Sequence, residues 1–266
     1  MRGMMLYTFS DAEKNRWFIQ QMQQEGARRG HLLSLYLVDK QWGERNFSAC
    51  DFCINRSRIA FVSREAEVSG KISVNNEKTI RIANDKWLTY QLLKKLKLPC
   101  METYLPGNEP EYPFVVKSRG GHGGSEVYLV RNDEEYRAVK EKLGDVPYIL
   151  QIFCDEPGVD VRVYVMGDQV MAAVKRTSDT DFRSNFSLGG RVEMFSLTGE
   201  QKRAAAVLQK ALDSDYIGID FIRHGGQWVV NEIEDAAGAR MLYSLTDVDF
   251  ISQYWDQIEK RLEGNL

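Results

Sequence analysis

Along this chain the apolar run Met4 to Phe9 is strand-like, Asp11 to Gly30 carries helical spacing through Trp17, Ile19 and Met22, and Leu32 to Val38 is strand-like again. That pattern predicts β-α-β. A further apolar stretch, Phe52 to Ile54, leads into Asn55-Arg56-Ser57-Arg58, and the polar segment Ser69 to Lys78 reads as a connector, so a small N-terminal α/β unit is expected over residues 1–78. Asn84 or Asp85 can cap a helix with an apolar stripe of Trp87, Tyr90, Leu92, Leu93 and Leu96, ended by Pro99. Short strands are predicted at Phe114 to Lys117 and Val127 to Val130 around a glycine-rich turn, a helix at Asp133 to Leu143, and a strand at Tyr148 to Phe153. Val159 to Met166 and Gln169 to Val174 alternate about Gly167-Asp168, which predicts a hairpin. A helix over Leu197 to Leu212, two strands at Tyr216 to Ile222 and Trp228 to Ile233, and an amphipathic helix from Asp249 to Leu262 complete an α+β pattern.

A chain of 266 residues exceeds the usual single-core size, so two or three packed subdomains are expected, and 43% apolar residues can fill them. The charges nearly balance, 35 basic against 38 acidic, with no long block of one sign, and nothing asks for nucleic acid. No apolar run approaches the roughly 20 residues that span a bilayer, and Met1 to Ser10 lacks a signal-peptide core, so a soluble cytoplasmic protein is expected. Cys50, Cys53, Cys100 and Cys154 are too few and scattered for a disulfide framework. The Cys50-Asp-Phe-Cys53 spacing supplies only half of a tetrahedral zinc shell and reads as chance.

Three constellations carry chemistry. In the first, Val115-Val116-Lys117 runs into Gly120, Gly121, Gly123 and Gly124; glycines let backbone amides approach an anion, and Lys117 adds a positive charge suited to a nucleotide phosphate. Taken alone, such a tip is more often a flexible turn. In the second, Asp220 lies on one strand, Glu232 and Glu234 on the next. The glutamates share a face. Asp220 joins that face only if it pairs with Glu232 rather than Asn231, or if a bulge intervenes. Three converging carboxylates suit magnesium; the alternative, a wet face, would have to expose Trp228 as well. The third groups Asp160 and Arg162 with Lys175 and Arg176, then Arg183, Ser184 and Asn185. Clustered guanidiniums can neutralise a transferring phosphoryl group or grip a carboxylate, while simple ion pairing such as Asp160 with Arg162 is the plainer reading.

In this order the motifs resemble the ATP-grasp superfamily, most closely its RimK-type branch of glutamate and related amine ligases, over roughly 60% of the chain from Ile80 to Tyr243. The resemblance implies an ATP-grasp fold in which two α+β subdomains, residues 79–152 and 153–266, sandwich ATP behind the N-terminal unit. It implies that Lys86, Lys117, Gly121, Gly123 and Gly124 meet the phosphates and that Gln151, Ile152 and Phe153 form the adenine hinge. Asp160 would meet the ribose, and Arg183, Ser184 and Asn185 the triphosphate. Asp220, Glu232 and Glu234 would hold magnesium, as two ions, with manganese as the alternative. Arg162 and Arg176 would stabilise charge while a carboxylate is phosphorylated and an amine attacks the acyl phosphate. The family usually reads Glu-x-Asn-x-x-Pro-Gly at the metal strand, whereas Glu234 and Ala237 stand at its asparagine and proline here. The substrate is expected to be a small molecule, amino acid or peptide, with Asn55, Arg56, Arg58 and Arg240 as candidate carboxylate anchors and homo-oligomeric assembly left open. A small-molecule kinase and an inactive ATP-binding regulatory module are the competing readings.

Overall fold

The structure, a computed structural model, describes residues 1–38, 47–121, 124, 126–183 and 190–264. The chain opens with β1 (Arg2–Thr8), α1 (Phe9–Lys14), α2 (Arg16–Arg28), β2 (Leu32–Val38), β3 (Phe52–Asn55), α3 (Ala60–Val68) and β4 (Ile72–Val74). The four strands form a parallel sheet in the order β2-β1-β3-β4. β1 and β3 are buried along nearly their whole length, as an interior parallel sheet requires. The helix expected as one piece over 11–30 is two. Asn15 donates its side-chain amide to the carbonyl of Asp11 at 2.7 Å, competing with the backbone ladder and breaking the run. The expected connector, Ser69 to Lys78, contains β4 and the start of the next helix, because a three-residue strand is too short to show alternation.

Two helices follow, α4 (Glu77–Ala83) and α5 (Lys86–Lys95), the second capped by Asp85, whose carboxylate accepts from the Trp87 and Leu88 amides. Then come β5 (Thr103–Tyr104), β6 (Phe114–Ser118), β7 (Val127–Val130), α6 (Asp133–Leu143) and β8 (Tyr148–Ile152), an antiparallel sheet in the order β5-β8-β6-β7 whose core is Phe114, Val116, Val130, Tyr136, Leu143 and Leu150. The third sheet is built from β9 (Val159–Met166), β10 (Gln169–Thr177), β11 (Arg191–Met194), β12 (Tyr216–His224) and β13 (Gln227–Glu234), ordered β11-β10-β9-β12-β13, with α7 (Gly199–Leu212) between β11 and β12 in the chain. The chain closes with α8 (Arg240–Leu245) and α9 (Phe250–Glu263).

Strand alternation sorts the third sheet into two faces. Val161, Val163, Val165, Ile217, Ile219 and Phe221 pack with Leu208 and Leu212 of α7, which turns Asp160, Arg162 and Asp220 to the other side. The N-terminal sheet is not a separate body. α9 inserts Trp255, fully buried, against α2, where its indole donates to the Met22 carbonyl at 2.9 Å. A Cβ on Gly26 would lie 2.4 Å from the Trp255 ring, so only glycine permits that approach. Met5, Phe52, Tyr164, Tyr216 and Trp255 therefore belong to one continuous core.

Candidate active site

The decisive local feature is a bulge. Gly225 and Gly226 both have positive φ, and this two-residue turn puts Phe221 opposite Val230; regular pairing would then set Asp220 opposite Asn231. Instead Asn231 is the extra residue, and Asp220 faces Glu232. The bulge reverses parity along β13: Trp228 and Val230 join the core side with Ile233, while Glu232 and Glu234 emerge on the opposite face with Asp220. The expectation that Trp228 shares the glutamates' face is thereby corrected, and a solvent-facing Glu232 and Glu234 would no longer require Trp228 to be exposed.

Between the second and third sheets lies a cleft of about 800 Å³, lined by Lys86, Lys117, Gly121, Gly124, Gln151, Ile152, Phe153, Asp160, Arg183, Asp220, Glu232 and Glu234. Gly123, Ser184 and Asn185 lie outside the described residues. Lys117 is buried, and its ammonium donates to Asn231 Oδ1 at 3.0 Å and Glu232 Oε1 at 3.2 Å. Burial pulls its pKa below the ordinary lysine value, with repulsion from Lys86 adding and Glu232 opposing. For Glu232 burial works upward, but Lys86 and Lys117 outweigh it and hold the carboxyl below its usual range. Lys86 opens α5 and donates to the Gly121 carbonyl, clasping the glycine turn. A Cβ at Gly121 would fall 2.0 Å from Ser118 Oγ, so this turn demands glycine. Arg183 closes the other side, donating to the Gly124 carbonyl at 2.7 Å while paired with Asp181.

Arg162 and Arg176 are inside the fold, not projecting freely as clustered phosphoryl clamps. Arg162 grips both Asp220 oxygens and reaches Glu234 Oε2 at 2.8 Å; Arg176 grips Asp160 and reaches Asp220 Oδ2 at 2.9 Å. The pairing is thus Asp160–Arg176–Asp220–Arg162–Glu234, rather than Asp160 with Arg162. Burial alone would raise the Asp220 pKa, and the two guanidiniums drive it well below the usual carboxylate range. Gly218 makes room for this, since a Cβ there would sit 3.0 Å from Arg162 Cδ. Lys175 faces the other way, onto Glu193.

Among the described residues no three His, Cys, Asp or Glu side chains are grouped so as to hold a metal ion, so the expected three-carboxylate set fits a divalent cation only in part. Glu232 and Glu234 offer hard carboxylate oxygens on one face, whereas both Asp220 oxygens already accept from arginines, so Asp220 is the weakest of the three as a ligand. The lining of the cleft suits a nucleotide, with Val115, Ile152 and Ile222 beside the polar groups. Cys154 and Phe182, unforeseen from sequence, line it too, Phe182 packing edge-on to Phe153 at 6.0 Å.

A second, wider cleft of about 1310 Å³ shares Lys86, Gly121, Asn231, Glu232 and Glu234 with the first and reaches into the N-terminal unit. Arg56, Arg58 and Arg240 line it. Asn55 does not; its amide donates to the Ile59 carbonyl and Ser63, and it shapes the loop after β3.

Residues 83–258 match the RimK-like ATP-grasp domain family. The chain is 32% identical over 249 residues to the MG011 homolog of Mycoplasma pneumoniae, covering 91% of this chain and 86% of that protein. It is 30% identical to a probable alpha-L-glutamate ligase of Haemophilus influenzae, covering 77% and 73%. Its fold is similar to D-alanine–D-alanine ligase from Bacillus anthracis in complex with ATP (TM-score 0.75, 15% identity, 100% and 98% covered). It is also similar to a RimK domain ATP-grasp protein from Sphaerobacter thermophilus (TM-score 0.73, 18% identity, 97% and 100% covered). On these grounds the chain belongs to the RimK-like ATP-grasp family.

Proposed function

We propose that this chain is an ATP-dependent carboxylate–amine ligase acting on an amino acid or peptide, in which residues 79–152 and 153–266 are the two halves that hold ATP. The observation that carries this reading is Glu232, which lines both clefts and accepts at 3.2 Å from the buried ammonium of Lys117 in the first, so that a phosphate in one cleft and a carboxylate in the other would meet beside the same charged pair. The γ-phosphoryl moves to a substrate carboxylate, giving an acyl phosphate; an amine then attacks the acyl carbon, and phosphate leaves with ADP as the other product. Lys86 and Lys117 neutralise phosphate charge, and Arg183 with the glycine turn covers it. Arg162 and Arg176 act as positioning residues that hold the acidic strands in register. Glu232 and Glu234, with Asp220 behind them, would hold divalent cations, magnesium in preference to manganese, which would supply Lewis-acid neutralisation of phosphate oxygens.

The test is ADP release across a panel of acids and amines. The ligase reading requires release only when both are supplied, with Lys117→Met reducing it by about a hundredfold or more. A stable phosphorylated product formed without an amine would replace this reading with a kinase. Tight ATP binding without turnover on any pair would replace it with a regulatory module.

A further inference from the structure

Three consecutive residues at the start of α5 each tie down a different part of the cleft wall. Asn84 donates its side-chain amide to Asp235 Oδ1 at 2.9 Å, just past the acidic end of β13. Lys86 donates its ammonium to the Gly121 carbonyl and its backbone amide to the Arg119 carbonyl, the latter at 3.0 Å. Asp85, between them, meets the Arg119 guanidinium with both oxygens: Nε donates to Oδ1 at 3.1 Å and Nη2 to Oδ2. The same Oδ1 accepts from the Trp87 amide at 2.9 Å and the Leu88 amide at 3.2 Å, and the Arg119 amide donates to the Pro147 carbonyl at 2.8 Å.

These contacts close a small ring. Asp85 and Lys86 adjoin in the chain, Gly121 follows close behind Arg119, and the links Asp85–Arg119, Lys86–Arg119 and Lys86–Gly121 lock the two segments face to face. The Lys86 ammonium sits on a flexible four-carbon stem, so its place is set by its own backbone and by the Gly121 carbonyl, and Arg119 holds both. Neither Asp85 nor Arg119 is among the described residues that line the two clefts, whereas Lys86 and Gly121 line both. Exposed ion pairs contribute little to stability. This one is half-buried, two-pronged and shared with a helix cap, a geometry that fixes orientation more than it adds energy.

We propose that Arg119, braced by Asp85, is a positioning residue for phosphate binding: it sets the Lys86 ammonium and the Gly121 backbone against the nucleotide's phosphates without touching the nucleotide. This rests on the ligase reading's assignment of Lys86 and the glycine turn to the phosphates, and adds two residues outside both cleft linings. A displacement of about 1 Å in a positioning group can cost about a hundredfold, so loss of the brace reads in affinity for the outer phosphates and not for the nucleoside.

The test measures binding of AMP, ADP and the β,γ-imido analogue of ATP, each with magnesium, by calorimetry, together with ADP release from ATP. The proteins are the intact chain, Arg119→Met, Arg119→Lys, Asp85→Asn and the double variant Arg119→Met with Asp85→Asn. Asparagine caps a helix as well as aspartate does, so Asp85→Asn keeps the start of α5 and removes only the charge that faces Arg119. Arg119→Met and Asp85→Asn each weaken the imido analogue about tenfold or more while AMP changes by less than about twofold, a grading by phosphate that a merely structural defect would not produce. The double variant stays within about twofold of the weaker single, because both substitutions remove the same brace. Arg119→Lys recovers part of the affinity, since an ammonium offers a point contact where the guanidinium offers a fork. If Arg119→Met fails to fold, Asp85→Asn and Arg119→Lys carry the same comparison. Equal losses for AMP and the analogue, unchanged affinity for the analogue in the single variants, or a double variant that loses the product of the two single effects overturns the proposal while leaving the ligase reading intact. An intact chain that binds AMP as tightly as the analogue overturns both. Phosphate-graded losses with no ADP release on any pair of acid and amine support the proposal and overturn the ligase reading.

Discussion

Replacing Arg162 with methionine isolates what the buried charge chain contributes. Arg162 is 4% exposed and holds Asp220 by both oxygens and Glu234 at 2.8 Å, so its loss strips the buried Asp220 of one of two counterions. Breaking such a pair from one side costs about 3–5 kcal/mol. Arg176 remains 2.9 Å from Asp220 Oδ2, which sets the expectation at the low end, about 3 kcal/mol, or a melting temperature lower by about 6–12 °C. The pH dependence follows from the depressed Asp220 pKa. In the intact protein its stabilisation is present above the ordinary value of 3.8 and is lost as pH falls through the folded value. In the variant burial becomes dominant, the folded pKa rises above that of the unfolded chain, and the sign reverses: the penalty is full at pH 7 and fades as pH falls and Asp220 takes up a proton. Thermal melts of both proteins at pH 7 and pH 5 measure this. Adding Asp220→Asn to Arg162→Met removes the stranded charge and recovers part of the loss. A deficit below about 1 kcal/mol, a larger deficit at pH 5, or a double variant weaker than the single by the simple sum refutes the account.

Gly218→Ala places a methyl 2.8 Å from Ala237 Cβ and 3.0 Å from Arg162 Cδ, so it should cost about 1–3 kcal/mol and lower turnover by displacing Arg162, checked by melting and ADP release together. Trp255→Ala empties a fully buried site between α2 and α9 and should cost about 3–5 kcal/mol, read as a fall in denaturant midpoint with the N-terminal sheet loosening first in hydrogen exchange. Cys154 lines the first cleft and burial pushes its thiol up, so alkylation should be slow at neutral pH, quicken as pH rises, and slow several-fold when ATP is added if that cleft holds the nucleotide. Cys53, fully buried with its thiol raised to about 12, should resist the reagent with or without ATP, and its labelling in the folded protein would contradict the packing around it.

Local chemistry was legible without coordinates wherever one residue's own preference settles the matter. Asp85 as a helix cap, Gly167-Asp168 as a hairpin and the glycines after Lys117 follow from capping, positive φ and the need for close approach, each a property of a few neighbouring positions. The ordered motifs likewise named the cleft residues Lys86, Lys117, Asp160, Arg183, Asp220, Glu232 and Glu234, which the structure brings together.

Partnership was not legible, because it depends on parity and distance across strands far apart in the chain. One extra residue at Asn231 moves Glu232 and Glu234 to the cleft and Trp228 to the core, and no single-strand pattern reveals which strand carries the bulge. The sequence did not say which acids Arg162 and Arg176 meet; only the side-by-side placement of β9, β10 and β12 pairs them with Asp160, Asp220 and Glu234. The residue types in the sequence determined that a lysine-and-glycine turn and a set of acidic strand residues exist in this protein. The tertiary structure decided which charges neutralise one another, since electrostatic partnership falls off over a few ångströms that sequence separation does not encode.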